Sequence, residues 1–209
     1  MSRTPENWLD VAPVLDEGWI VHVGVTTSDG VPALLPMLYV RHDASLLLHG
    51  GVANATLAAM LDRGRVSGNV TLVDGLIVAR SAFQSSVAYR SVTVEGTVTL
   101  LDGDEKTTAL ERVIDGLVPG RALEIRPMTS GEIRATVLVR LDVERAVVRE
   151  SPPLVSDAPS DRGDAVWAGV VPLDVVAGPP RAASDVGDDV VVPPSVRAWR
   201  PPRSGRAPW

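Results

Sequence analysis

The sequence has 209 residues, of which 45% are hydrophobic, and it carries a formal net charge of -6. A chain of this size buries enough apolar surface to form one domain without crosslinks. The absence of cysteine excludes disulfides, thiolate metal sites and cysteine nucleophiles. Lysine and arginine form no run, so nucleic-acid binding is not expected. The chain does not start with a basic stretch and an apolar core, and no apolar run reaches about 18 residues. We therefore expect a cytoplasmic protein that does not enter a membrane.

The first third of the chain is predicted to form one helix followed by a β-meander. Thr4 caps the helix, Pro13 strains it, and Gly18 ends it. Pro32 and Pro36 place the second strand near an edge or a bulge. The predicted elements are the helix Pro5–Glu17, the strands Trp19–Thr27, Val31–Val40 and Leu46–His49, and the turn Ser28–Gly30.

The middle of the chain has a short helical segment, Val52–Arg63, and then the alternating pattern of strands. Asp74-Gly75 has the composition of a tight turn, so it is predicted to join two strands, Arg65–Val73 and Leu76–Ala82. Tyr89–Leu101 alternates between valines on one side and polar residues on the other. The remaining elements are the helix Asp104–Leu117 with Asp104 as its cap, a capping-box helix starting at Thr129, the strand Thr136–Arg149, a linker over 151–164 and a β-like run, Val166–Val176.

Six or so strands with helices inserted at their connections predict a mainly β fold, a closed or partly closed antiparallel barrel. Residues 1–178 are assigned to this domain and its N-terminal helix. Residues 179–209 form an extended tail rich in proline and arginine. Trp199 and Trp209 require burial, so we expect the tail to wrap onto a partner subunit or to cover a pocket.

His49-Gly50-Gly51 stands where a predicted strand ends and a helix begins. Glycine lets backbone N–H groups approach an anion, and a helix N-terminus favours negative charge, so a phosphate fits near Ala53 and Asn54. An ordinary strand-to-helix turn explains the same residues. The His49 imidazole titrates near neutrality, and it either faces a cofactor or substrate or hydrogen-bonds to the backbone.

Arg90 and Trp167 each have two interpretations, and His22 has a structural one. Arg90, near the start of a long strand, pairs with a phosphate or a ligand carbonyl, or forms a salt bridge at the rim. Trp167 packs an aromatic ligand or a subunit interface. His22, among valines, is expected to be a hydrogen-bonded core residue. The three histidines lack metal-site spacing, and no hydrolase, dinucleotide or P-loop motif is present.

Several segments share their order and spacing with one known family. They are Gly18–Gly24, Pro32–Tyr39, Leu46–Gly51, Thr71–Phe83, Tyr89–Val92, Val118–Arg121 and Val166–Val170. In this arrangement the sequence resembles the pyridoxamine 5′-phosphate oxidase-like proteins, in particular the branch related to nitroimidazole-resistance proteins. The resemblance covers roughly residues 5–178.

The resemblance implies an FMN-binding split β-barrel homodimer with two FMN sites at the subunit interface. It places the isoalloxazine along the strand that contains Leu35, Pro36, Met37 and Leu38. It assigns the ribityl phosphate to the segment Leu48–Thr56, which includes His49, Gly50 and Asn54. By the same resemblance, a histidine matching His49 lies close to the flavin.

The sequence departs from the family pattern at three places. Asn54-Ala55 replaces a usual Ser-Arg pair, and Gln84-Ser85-Ser86 replaces His-His-Ser. Val147 stands where a lysine is usual. The loss of two cations weakens a site for a phosphate dianion by roughly 1–3 kcal/mol for each charged hydrogen bond.

Three functional hypotheses follow. The first is an enzyme, an FMN-dependent oxidoreductase acting on a small organic substrate, with His49 as catalytic acid and Arg90 tuning the ring. Trp167 is included among the cofactor-binding residues. The second is a haem or tetrapyrrole-binding protein on the same scaffold, with His22 or His49 as axial ligand. The third is a specialised enzyme that has lost the flavin, with the vacated pocket taking a hydrophobic substrate.

Overall fold

The computed structural model describes residues 8–27, 29–163, 165–187 and 189–202. Thr4, the start of the predicted first helix, Ser28 and Trp209 lie outside the described residues. The helices are α1 (Trp8–Glu17), α2 (Ala55–Arg63), α3 (Gly103–Leu117), α4 (Ser130–Ala135) and α5 (Pro194–Ala198). The strands are β1 (Ile20–Thr26), β2 (Pro32–His42), β3 (Ser45–Gly51), β4 (Arg65–Val78), β5 (Ser86–Leu100), β6 (Thr136–Ser151) and β7 (Gly169–Pro172).

The described strands form one antiparallel sheet of seven strands in the order β1-β2-β3-β6-β5-β4-β7. A further pairing between β1 and β4 closes six of them into a ring, with β7 added outside β4. This confirms the predicted mainly β barrel. Its interior holds the larger apolar cluster of valines and leucines, and α1 contributes Val11, Val14 and Leu15 to that cluster. A smaller cluster forms where α3 packs on the outside of the barrel.

The ring is split between β2 and β3. Residues Pro32–Leu38 of β2 pair with β1, whereas Tyr39–His42 pair with β3. The amide of Tyr39 donates to the carbonyl oxygen of Trp19, the residue just before β1, at 3.1 Å. By the alternation of a strand, the nitrogens of Pro32 and Pro36 therefore face away from β1, into the split. Both prolines occupy positions where no ladder hydrogen bond is lost, which confirms their predicted place at a strand edge.

The predicted turn at Asp74-Gly75 is wrong, because β4 runs through these residues as one strand. The register against β5 shifts between Val73 and Gly75, so Asp74 is the extra residue of a β-bulge. The bulge turns the Asp74 carboxylate inward, where it is buried beside Arg90 of β5. Turns and bulges favour the same residue types, and this explains the error.

Helix capping is partly as predicted. Thr129 and Glu132 form the predicted capping box at the start of α4, with both reciprocal hydrogen bonds present. Asp104 is not the cap of α3: it lies in the first turn, and Asp102 occupies the cap position without a side-chain hydrogen bond. An acidic residue in the first turn still stabilises the helix through its dipole.

The described part of the C-terminal tail lies against the barrel. The Trp199 ring is 5.9 Å from the Trp19 ring, centroid to centroid, and its Nε1–H donates to Leu117 O at 2.7 Å. The Ser195 amide and hydroxyl both donate to the Glu124 carboxylate. Among the described residues, no helix combines the length and the apolar character that crossing a bilayer requires.

Candidate functional site

The split brings two groups of predicted site residues to its two sides. Leu35, Pro36, Met37 and Leu38 lie on β2 along the edge that lacks a partner. His49 and Gly50 lie at the end of β3, beyond the last residue that pairs with β2. Asn54 follows as the N-cap of α2. The opening between these strands is therefore the candidate site.

Only alternate residues of β2 present side chains away from the core. Met37 is buried inside the barrel and Leu35 packs against the core, so neither side chain faces outward. Pro36 is exposed and Leu38 is half-buried. The four consecutive side chains predicted from the resemblance thus divide into two that face inward and two that face outward.

His49 has an unsatisfied polar atom at the edge of the split. Its Nδ1 is buried and has no hydrogen-bond partner among the described residues. Burial lowers the pKa of His49 below its ordinary value, so the imidazole is neutral at neutral pH. Buried polar atoms are almost always paired, so an unpaired imidazole nitrogen beside an opening indicates a place where a ligand supplies the partner.

The lowered pKa of His49 makes stability depend on pH. Above pH 6.5 both the folded and unfolded states hold a neutral imidazole. Below that pH the unfolded chain takes up the proton first, so the free energy of unfolding falls as pH falls, until the folded pKa is passed. We expect His49→Gln to flatten this part of the profile in urea unfolding measured on both sides of pH 6.5. Parallel profiles for the two proteins would contradict the assignment.

The start of α2 is built by Gly50 and Asn54. Asn54 Oδ1 accepts the Leu57 amide at 3.0 Å and so caps the helix. A Cβ on Gly50 would lie 2.9 Å from Asn54 Nδ2 and 3.1 Å from Leu57 Cδ1, so a larger residue here would displace the side chain of the cap. The first turn contains no acidic residue, and helix amides there favour an anion. Ala55 contributes no cation.

Arg90 and Trp167 are not brought to the split within one chain. Arg90 uses four hydrogen bonds, at 2.8–3.1 Å, to bind Asp74 and Glu17, and its side chain is 10% exposed. Burial alone would lower the pKa of Arg90, but the hydrogen bonds to Asp74 and Glu17 raise it. Trp167 is exposed and lies against Gly169 at the start of β7. Of the two roles predicted for Arg90, the structure shows the salt bridge, which is buried and not at the rim.

His22 is also placed differently from the prediction. It is exposed on the outer face of β1, between the buried Val21 and Val23. It lines a cleft with Trp19 and Val175 of the C-terminal segment. The alternation of valines around His22 already indicated an outward side chain, and this signal was missed because β1 was treated as a fully buried strand.

Comparison with known proteins agrees with the fold. A family model described as pyridoxamine 5′-phosphate oxidase matches residues 8–150. The chain belongs to the pyridoxamine 5′-phosphate oxidase family. This membership confirms the resemblance seen in the sequence, and the split lies within the matched range. No curated protein sequence gives a significant match.

Two solved structures of this fold are similar over nearly the whole chain. The FAD and haem binding protein from Mycobacterium smegmatis is 35% identical, with a TM-score of 0.86 over 93% of this chain and 94% of that chain. The flavocytochrome Anf3 from Azotobacter vinelandii is 31% identical, with a TM-score of 0.83 over 93% of this chain and 90% of that chain.

A more distant structure shares the fold alone. A protein from Bacteroides thetaiotaomicron assigned to 5-nitroimidazole antibiotic resistance is 17% identical. Its TM-score is 0.59, over 68% of this chain and 83% of that chain. The barrel fold is therefore also found in the nitroimidazole-resistance branch that the sequence resembles.

Proposed function

We propose that the chain is a flavin-dependent redox protein that holds the flavin ring in the split between β2 and β3. The observation that carries this proposal is the similarity over nearly the whole chain to a protein that binds FAD and haem and to a flavocytochrome. A flavin, when bound, supplies hydride or electron transfer, and the protein supplies binding, orientation and electrostatics. The substrate is proposed to be a small organic molecule.

The free edge of β2 suits the polar rim of an isoalloxazine. In the unpaired stretch, the N–H and C=O groups of Leu34 face away from β1, together with the carbonyls of Pro32 and Pro36. Backbone groups of this kind require a partner once water is excluded. A ring edge that carries both donors and acceptors provides such partners.

His49 is the proposed polar contact from the opposite side of the split. Its neutral imidazole is able to donate or accept a hydrogen bond at Nδ1, the atom that lacks a protein partner among the described residues. We propose that this nitrogen binds the flavin or moves a proton to or from a bound substrate. Its lowered pKa makes the imidazole a weak base and the imidazolium a readily donating acid.

The predicted FMN and the alternative FAD differ in how their negative charge is distributed. FMN concentrates a charge of about -1.5 to -2 on one phosphate monoester, whereas FAD spreads two single charges over two phosphates. Ala55 offers no counter-ion, and the helix start contributes amides only. We therefore favour FAD over FMN. Chromatography of the flavin released by denaturing the purified protein distinguishes them.

His49→Leu tests the flavin site. Removing the Nδ1 contact is expected to cost about 1 kcal/mol, or roughly a fivefold increase in the flavin Kd, measured by absorption or fluorescence titration. Leucine keeps the apolar volume, and His42→Leu is the matched control because His42 lies at the far end of β2. A colourless protein that ignores both added flavins would contradict the proposal and favour a family member that has abandoned the flavin.

The protein is further proposed to be a homodimer. Leu76 of β4 pairs with Val87 on one side and Val171 on the other, and all three side chains are exposed on one face. An apolar stripe of this kind marks an interaction surface, and we propose a second copy as its occupant. Leu76→Asp is expected to shift the light-scattering mass from dimer to monomer. Leu123→Asp, at an exposed position elsewhere, is the control, and a wild-type monomer would contradict the proposal.

A haem-binding function is the second candidate. It is favoured by the same two relatives. It is also favoured by two histidines: His49 Nδ1 is unpaired among the described residues, and the exposed His22 imidazole makes no hydrogen bond to them. Haem requires an axial ligand, and histidine is a common one. A Soret band in the purified protein, or one that develops on addition of hemin, is the expected result.

A further inference from the structure

The C-terminal segment encloses a cavity that neither the flavin proposal nor the haem candidate uses. The cavity measures about 1190 Å³ and lies between residues 174–180, parts of 192–201 and Val118. Pockets for small molecules usually measure roughly 300–1,000 Å³, so this space, called the tail cavity below, has room for a ligand of that size. None of its lining residues lies on β2, β3 or α2, and the tail cavity is therefore separate from the split.

The wall of the tail cavity is mostly aliphatic, because valine, alanine and proline supply most of its lining. Val175, Val176 and Val192 line the cavity and remain 36%, 82% and 38% exposed. Exposed apolar side chains gathered in a concave surface indicate a binding site for an apolar group. Trp199 is the single aromatic side chain among the described lining residues. The wall therefore suits an alkyl chain better than a ring system that requires stacking on both faces.

The charges on the wall of the tail cavity favour an anionic head group. They are Arg197, Arg200 and Asp174. Arg200 Nη1 donates to the carbonyl oxygens of Arg197 and Trp199 at 3.1 and 2.7 Å, which holds its guanidinium at the wall. The Arg197 guanidinium makes no hydrogen bond or ion pair to the described residues. An arginine fork pairs with a carboxylate through two parallel hydrogen bonds, so a free Arg197 beside Arg200 is suited to a carboxylate head group.

The lining also limits what the tail cavity is able to do. Its described residues include no histidine, methionine or tyrosine. Haem iron would therefore find no axial ligand in this space. The lining offers apolar contacts and arginine donors, which are features of a binding site.

Contacts between the tail and the barrel fix one wall of the tail cavity. Trp199 lies against Trp19, with 5.9 Å between the ring centroids, and its Nε1–H donates to Leu117 O at the end of α3. Ser195, on the same short helix as Arg197, donates its amide and its hydroxyl to the Glu124 carboxylate. A wall that is fixed before the ligand arrives reduces the ordering that binding requires.

We propose that the tail cavity binds a fatty acid, with the alkyl chain against the valine and proline wall and the carboxylate paired with Arg197 and Arg200. An apolar chain with a single terminal carboxylate matches an aliphatic wall that carries two arginines. The site uses no residue of the split, so it goes beyond the proposed function and does not depend on it.

Calorimetric titration of the full-length protein, freed of bound lipid, with dodecanoate and with dodecanol tests the head-group contact. The two ligands share their alkyl chain and differ in charge. Arg197→Ala is expected to weaken dodecanoate binding about tenfold and to leave dodecanol binding unchanged, because only the carboxylate loses a charged hydrogen bond. Arg197→Lys is expected to recover part of the loss, since lysine keeps the charge without the fork. Arg149→Ala, at an exposed position on β6 outside the lining, is the matched control.

A second pair of variants tests the apolar wall. Val175→Asp is expected to weaken both ligands at least about tenfold, because it places a charge against the alkyl chain. Val190→Asp, at an exposed position outside the lining, is its control and is expected to bind both ligands like wild type. Circular dichroism of each variant reports on folding.

Three results would overturn the site. A wild-type protein that binds neither ligand is one, and dodecanoate binding that survives both Arg197→Ala and Val175→Asp is another. The third is a fall in light-scattering mass in Val175→Asp but not in Val190→Asp, which would make a second copy of the chain the occupant of the tail cavity. The flavin content of the same preparation reports separately on the proposed function, so either proposal is able to fail alone.

Discussion

Replacing Arg90 by leucine is expected to lower the free energy of unfolding by about 3–5 kcal/mol, because it leaves two buried carboxylates without their cation. Glu17, Asp74 and Arg90 have side chains that are 11%, 5% and 10% exposed. Arg90 joins α1, the β4 bulge and β5 through this ion pair. Urea unfolding of wild type and variant at neutral pH measures the difference.

Two further variants distinguish the ion pair from other causes of instability. Arg149→Leu, at an exposed position on β6, is expected to change stability by no more than about 0.5 kcal/mol. Replacing Glu17, Asp74 and Arg90 together by leucine is expected to recover most of the loss, because apolar side chains often replace a buried ion pair at little cost in stability. If Arg90→Leu costs less than about 1 kcal/mol, the three charges are not acting as a buried unit.

Gly96→Ala is expected to destabilise the protein by about 3 kcal/mol, through a clash that no rotamer relieves. A Cβ at this position would lie 1.8 Å from the carbonyl oxygen of Asp142 in β6. The register of β5 against β6 shifts beside Gly96, and Glu144 is the residue left out of the pairing. The two central strands would have to separate to accept even one methyl group.

A glycine in open space provides the control for Gly96. Gly163 has no atom within 4 Å of an added Cβ, so Gly163→Ala is expected to leave stability unchanged or raise it by up to about 1 kcal/mol. Chemical unfolding of both variants gives the comparison. Equal stability of the two alanine variants would mean that the strands at Gly96 are not packed as closely as described.

The sequence predicts the elements of this fold better than their assembly. Alternating valines identify β5, and Thr129 with Glu132 identifies the start of α4, because these signals are local. Closure of the barrel by β1 and β4 is not local: His22 pairs with Asn69, and no composition or spacing signal reports that contact. The bulge at Asp74 was mistaken for a turn for the same reason, since only the neighbouring strand distinguishes them.

In the candidate site, too, local features were predicted and contacts between distant parts of the sequence were not. His49, Gly50 and Asn54 were found because a strand end and a helix start are contiguous in the sequence. A salt bridge was one of the two roles predicted for Arg90, but its partners Asp74 and Glu17 were not predicted, because they lie 16 and 73 residues away. The sequence around a charged side chain on a strand does not indicate which carboxylates the fold will bring to it.

The two prolines on the unpaired stretch of β2 have a consequence for how the protein behaves in a crowded solution. An exposed strand edge is a template on which a second chain adds a strand, and repeated addition leads to aggregates. Pro32 and Pro36 remove two of the outward-facing donors, so a foreign strand meets an interrupted ladder there. This stretch of β2 thereby stays unpaired without offering a seed for intermolecular β-structure.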